Sequence, residues 1–201
     1  MVDFKIEVVV LPVSDVDAAK EFYERLGWRK DTDYSGADGL RLVAFTPPGS
    51  AASIMLGNDI TEERPGTAQS VTLVTGDIAA ARDELIGKGA EASEIFHDAG
   101  GVFHHAGSKD RVAGPHPERR SYSSWFSFTD PDGNLFFVQE VTSRHPGRTD
   151  RVVYDSVAAV EQALRDAAAA HGEHEKVLGH YDEQWPSWYA AYMAKAAGLD
   201  A

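Results

Sequence analysis

Two stretches of this chain carry the same succession of apolar and polar patterns. From Ile6 to Val13 β-branched residues run together and stop at Ser14-Asp15, which predicts a strand. Val16, Ala19, Phe22, Tyr23 and Leu26 then recur at helical spacing. Asp15 stands where its carboxylate can accept a first-turn N–H, and Gly27 where a left-handed turn ends the helix. Trp28–Tyr34, Leu40–Thr46 and Ala52–Leu56 read as three shorter strands, with Pro47-Pro48-Gly49 turning between the last two. The order is β-α-β-β-β.

The second stretch repeats it. Gln69–Thr75 is a strand, and Asp77 opens a helix that runs to about Gly87. Ala90–Phe96, Ser121–Thr129 and Leu135–Val141 complete the set, the last after the turn sequence Asp130-Pro131-Asp132-Gly133-Asn134. Asp15 and Asp77 are offset by 62 residues, as are Gly27 and Gly89, so one supersecondary unit is used twice. The second copy carries a long segment, residues 97–120, where the first has only 35–38. This divides the chain into a first module (1–62), a second (67–143) and an extension (150–201).

Composition narrows the function. The chain has 201 residues, is 43% hydrophobic and contains no cysteine, so disulfides and thiolate metal sites are excluded. No apolar run approaches the roughly 18 residues of a membrane span, and the N-terminus has no signal-peptide pattern. The expected location is cytoplasmic. A net charge of −13 argues against binding a phosphate backbone, so neither nucleic acid nor membrane is an expected partner.

The paired unit, with the phrases LPVSDVDAAKEFYERLGW (11–28) and FTDPDGNLFFVQEV (128–141), resembles the vicinal oxygen chelate superfamily over residues 4–142. That superfamily holds glyoxalase I, extradiol dioxygenases and bleomycin-binding resistance proteins. The resemblance implies an α+β fold: two tandem βαβββ modules forming a curved mixed sheet around a cleft, here followed by a helical hairpin. It also implies where a metal would sit, with one ligand in the first and one in the last strand of each module. Val8, Met55, Ser70 and Phe137 fill those places. Valine and phenylalanine cannot coordinate, and a thioether and a neutral hydroxyl are poor ligands for hard or borderline divalent cations. No metal is expected at the usual site, and no cofactor.

Strand alternation places Val8, Val10, Ser53, Met55, Ser70, Thr72, Val74, Leu135, Phe137 and Gln139 on the concave face. Such a surface holds an organic ligand by shape, or else packs on itself as core. The 97–120 segment is long enough to be a lid. Its His104 and His105 are candidates for acid–base chemistry, and Phe103, with Trp125, for stacking on an aromatic ligand.

In the extension, Asp155 or Ser156 caps one helix, and Trp185-Pro186 opens a second with Trp185, Tyr189 and Met193 on one face. So many aromatics need burial. His171 and His174, three residues apart, form an alternative metal site with His180 or Asp182. Three functions remain open. The first is a metal-free protein binding a hydrophobic or aromatic small molecule. The second is a lyase, isomerase or dioxygenase-like enzyme using the loop histidines or a displaced metal. The third is an assembly protein with a filled cleft. A monomer or homodimer is expected.

Overall fold

The computed structural model describes residues 4–100, 104–144, 154 and 156–197. The first module is β1 (Val8–Pro12), α1 (Val16–Arg25), β2 (Arg29–Ser35), β3 (Arg41–Thr46) and β4 (Ser53–Asn58). Asp15 caps α1 by accepting the N–H groups of Asp17 and Ala18, and Gly27 takes the left-handed conformation that ends it. The strands make one mixed sheet in the order β1-β4-β3-β2, with β1 parallel to β4. Strand β1 is shorter than its apolar run suggests, because Phe4 and Ile6 lie exposed ahead of it.

The second module is β5 (Gln69–Thr75), α2 (Ile78–Gly87), β6 (Phe96–Asp98), β7 (Arg111–Ala113), β8 (Ser124–Thr129) and β9 (Leu135–Glu140). Its sheet has the order β5-β9-β8-β6-β7. Three features differ from the expectation. The strand expected over Ala90–Phe96 begins only at Phe96. Upstream, Ala92 forms a lone bridge to Phe128, and the Ser93 hydroxyl accepts the Ser127 N–H, replacing a ladder bond. The 97–120 segment is not an open loop, because β6 and β7 pair antiparallel across it. Strand β8 starts at Ser124 rather than Ser121, since Arg119 and Tyr122 have positive φ, which breaks extended pairing.

The modules share one core on the helix-bearing sides of their sheets, joining Leu11, Phe22, Tyr23, Trp28 and Phe45 to Phe126, Phe128, Phe136 and Val138. Leu26 and Lys88, repeat mates at the two helix ends, meet here, and Lys88 Nζ donates to the Leu26 carbonyl (2.8 Å).

The Asp-Pro-Asp-Gly-Asn turn ties the modules together. Buried Asn134 donates from Nδ2 to the Pro12 carbonyl (2.9 Å) and to Asp130 Oδ2 (2.8 Å), and its Oδ1 accepts the Ala68 N–H (3.1 Å). The Tyr23 hydroxyl, from α1, donates to Asp130 Oδ2 (3.0 Å). Burial first, and then the adjacent Asp130 charge, push the Tyr23 phenol well above the usual tyrosine range. Gly66 passes so close that a Cβ there would stand 2.2 Å from the Asp132 carbonyl oxygen.

The chain divides into two compact units, Met1–Thr142 and Ser143–Ala201. The second is a helical pair, α3 (Val157–Leu178) and α4 (Trp185–Ala196). Ser156 caps α3 through the Ala159 N–H, and left-handed Gly179 ends it. Between the helices Ala167 and His171 are buried, and Trp188 stacks on His174 and Tyr192. Among the described residues no helix is long and apolar enough to cross a membrane.

Candidate functional site

Opposite the shared core, each sheet keeps a second face. In the first module Val10 pairs with Met55 and Val8 with Ser53 in the β1–β4 ladder. Val8 is 37% exposed, Val10 and Met55 half-buried. The Ser53 hydroxyl shares a 2.7 Å hydrogen bond with Thr46, and Thr46 in turn bonds Asp31. This face mixes apolar residues with the Ser53–Thr46–Asp31 hydrogen bonds and carries exposed Tyr34 as an aromatic.

The second module is different. Phe96, Trp125 and Phe137 form their own buried cluster, with Leu135 at its edge. The register explains it: Phe96 pairs with Trp125 across β6–β8, Trp125 with Gln139 across β8–β9, and Phe137 lies beside Thr72 on β5. Side chains that neighbour across a ladder share a face. Ser70 does not take the place expected for it. It is a bulge residue with φ +79°, between Gln69 opposite Leu135 and Val71 opposite Phe136, so it stands outside the β5–β9 ladder, while Thr72 lies next to Phe137 as its repeat mate Val10 lies next to Met55.

The long segment folds over this cluster. The His104 ring lies on Phe137 at 4.2 Å between centroids and 30° between planes, and meets Trp125 edge-on at 4.8 Å. The Arg111 guanidinium sits 4.0 Å from the Phe96 ring centroid, and its Nε is buried without a hydrogen-bond partner. Gln139, expected to orient a ligand, instead donates its side-chain N–H to the Tyr122 carbonyl (2.7 Å). Phe103 lies outside the described residues.

His105 is placed differently from His104. Its Nδ1 donates to Asp98 Oδ2 at 2.6 Å, and the same carboxylate takes the His105 and Gly100 backbone N–H groups. The hydrogen bond from His105 is the main cause holding the Asp98 carboxyl below its usual range, and the Gly100 N–H is second. A carboxyl depressed in the folded state gives stability that is complete above its unfolded pKa and is lost as pH falls through its folded one. Hydrogen exchange at the Gly100 and His105 amides should therefore speed up below about pH 4 (the unfolded carboxylate value) relative to β8 amides. Equal protection of both at pH 3 and pH 6 would show that Asp98 does not hold the segment.

Two further histidines complete the segment. His97 Nδ1 donates to the Gly114 carbonyl at 2.9 Å, and buried His116 accepts the Glu118 N–H. At its end Arg119 makes two hydrogen bonds to Glu140, which is fully buried and also receives the Ile78 N–H at the start of α2.

The structure thus splits the expected site into two groups on separate sheets. Val8, Val10, Ser53 and Met55 lie in one, and Thr72, Trp125, Phe137 and His104 in the other. Sequence reasoning missed Phe96, Asp98 and Arg111. Phe96 and Asp98 stand two apart on one short strand, a relation visible only once that strand is recognised.

By their spacing in the sequence Val8, Met55, Ser70 and Phe137 fall at the places of the usual ligands, and no group of three or more His, Asp or Glu among the described residues is arranged for a metal ion. The alternative site at His171, His174 and His180 is corrected. His171 Nε2 bonds Asp182, His174 stacks on Trp188, and His180 Nδ1 turns to the Tyr181 carbonyl.

The Glyoxalase/Bleomycin resistance protein/Dioxygenase superfamily model matches residues 5–138. Among solved structures, the chain is similar to TnmS3, an antibiotic binding protein from Streptomyces sp. CB03234. The two are 25% identical with a TM-score of 0.51, over 70% of this chain and 98% of that one. It is also similar to a member of the glyoxalase/bleomycin resistance protein/dioxygenase superfamily from Sphaerobacter thermophilus DSM 20745. There the identity is 25% and the TM-score 0.50, over 69% of this chain and 98% of that one. No curated protein matches.

Proposed function

We propose that this chain, which belongs to the Glyoxalase/Bleomycin resistance protein/Dioxygenase superfamily, binds a planar aromatic small molecule on the second module without a metal. The observation that carries this reading is the box made by Phe96, Trp125 and Phe137, on which His104 lies stacked at 4.2 Å from Phe137. The imidazole occupies the place a ligand ring would take, so His104 is a cover that the ligand displaces. Offset ring pairs of this kind contribute about 0.5–1.5 kcal/mol beyond burial, enough for recognition and small enough for exchange. Arg111 at the edge favours a ligand bearing an acidic or carbonyl oxygen, which its unpaired Nε would bind. The antibiotic-binding neighbour supports small-molecule binding as the class of activity.

The test is titration with 8-anilinonaphthalene-1-sulfonate, an aromatic anion whose naphthalene ring system is planar. Thr72 is exposed beside Phe137, so Thr72→Trp covers the box without entering the core. It should weaken binding by roughly tenfold or more, the loss of about 1.4 kcal/mol of stacking and burial. Val8→Trp, on the other sheet, should leave it within about twofold, as for a surface change away from the site. Unchanged affinity in Thr72→Trp would remove the second module as the site.

A second reading rests on one separate observation, the 2.6 Å bond from His105 to buried Asp98. A carboxylate that fixes a ring orients a general base. If a bound compound is turned over, His105→Ala should lower the rate by roughly 10²–10⁴ while leaving affinity little changed. A variant that binds and turns over as the parent does would reduce Asp98–His105 to a loop clasp.

A further inference from the structure

The helical pair of the second unit carries an open pocket of its own, about 340 Å³, lined by residues of α3, α4 and the turn between them. Tyr181, Trp185, Tyr189 and His171 are among the residues that line it. Trp185 and Tyr189 stand edge to face, with centroids 5.2 Å apart, so ring faces of different orientation border one space. The charge there is negative. Glu175 lines the cavity and uses Oε1 to accept the Asp182 N–H, while Asp182 holds the buried His171. No Lys or Arg lines it.

Gly172 stands in the middle of α3, where glycine costs about 1 kcal/mol relative to alanine. A Cβ built there meets nothing within 4 Å, so the missing side chain leaves room rather than relieving a clash.

Aromatic faces are negative at the π-cloud and attract cations, most strongly those with little hydration to lose. A quaternary ammonium fits this description, because it needs no hydrogen-bond acceptors and its methyl groups pack on rings. A bare metal ion does not, since the rings offer no ligand atoms and the described residues hold no metal-binding group. The volume also lies within the range of small-molecule pockets. We propose that this cavity binds an N-methylated ammonium group, with the head against Trp185, Tyr181 and Tyr189 and its charge facing Glu175.

Calorimetric titration of the full chain with choline, and with its neutral isostere 3,3-dimethylbutan-1-ol, tests this. Choline should bind saturably and the alcohol roughly tenfold more weakly, since only the charge differs. Gly172→Leu puts a side chain into the pocket from a position where a Cβ meets nothing within 4 Å, and should abolish binding while far-ultraviolet circular dichroism stays that of the parent. Glu175→Gln keeps an oxygen for the Asp182 N–H and should weaken choline by roughly fivefold. If Glu175→Gln disturbs the helices, Gly172→Leu remains decisive.

The same group occurs free and as a lipid headgroup. Co-sedimentation with phosphatidylcholine vesicles, lost in Gly172→Leu, would identify the headgroup, whereas choline binding without co-sedimentation identifies the free cation. No saturable choline binding up to about 20 mM, far weaker than any 1 mM site, would overturn the proposal. So would equal affinity for the alcohol, or binding that survives Gly172→Leu.

Discussion

Replacing Asn134 by alanine should destabilise the two-module unit by about 3–6 kcal/mol, a large part of the roughly 5–15 kcal/mol of an ordinary domain. Three hydrogen bonds disappear together, and of their partners Pro12 and Asp130 are buried and Ala68 half-buried. Each buried group left unsatisfied costs about 1–3 kcal/mol. The effect should reach beyond the turn, because Pro12 ends β1 and Ala68 precedes β5. Asn134→Asp keeps an acceptor for the Ala68 N–H but loses both donations and places a carboxylate beside Asp130, so it should be no better tolerated. Chemical denaturation would measure both. A midpoint within error of the parent for Asn134→Ala would show that the turn does not join the modules.

The second large effect is expected at Arg119→Ala. Glu140 is fully buried, and Arg119 neutralises it from a half-exposed position. Hydrogen bonding to Glu140 is the first cause that raises the guanidinium pKa further, with the carboxylate charge second. Among the described residues, removing the arginine leaves the buried carboxylate with the Ile78 N–H, at 3.4 Å, as its one remaining hydrogen-bond donor. Breaking such a pair by deleting one partner costs about 3–5 kcal/mol when both groups are buried, so about 3 kcal/mol is expected with one half in solvent. Glu140→Gln/Arg119→Ala should recover part of the loss, because the stranded charge is gone. If the double variant is no more stable than the single one, the cost comes from lost packing around Arg119.

The helices and most strands were legible because their signals are local. Asp15 and Asp77 cap where they should, and β5 spans Gln69–Thr75 as its composition suggests. The family resemblance rested on the same local phrases. What the sequence hid depends on partners far away along the chain. Asp130-Pro-Asp-Gly-Asn134 reads as a turn, yet its work is to bind Tyr23, Pro12 and Ala68, more than 60 residues distant. Ser70 reads as one more alternating residue, and only the pairing with β9 reveals the bulge that takes it out of the ladder. Strands β6 and β7 are three residues each, too short for periodicity to register, so Phe96 and Arg111 could not be seen as neighbours of Phe137.

The central claim is that a planar aromatic molecule displaces His104 from the box around Trp125. The four tryptophans, at positions 28, 125, 185 and 188, give four indole N–H probes in one spectrum. Titrating ¹⁵N-labelled protein with 8-anilinonaphthalene-1-sulfonate should shift the Trp125 indole saturably, together with the backbone amides of His104 and His105, and leave Trp28, Trp185 and Trp188 in place. A saturable shift confined to the other three, with Trp125 unmoved, would contradict it.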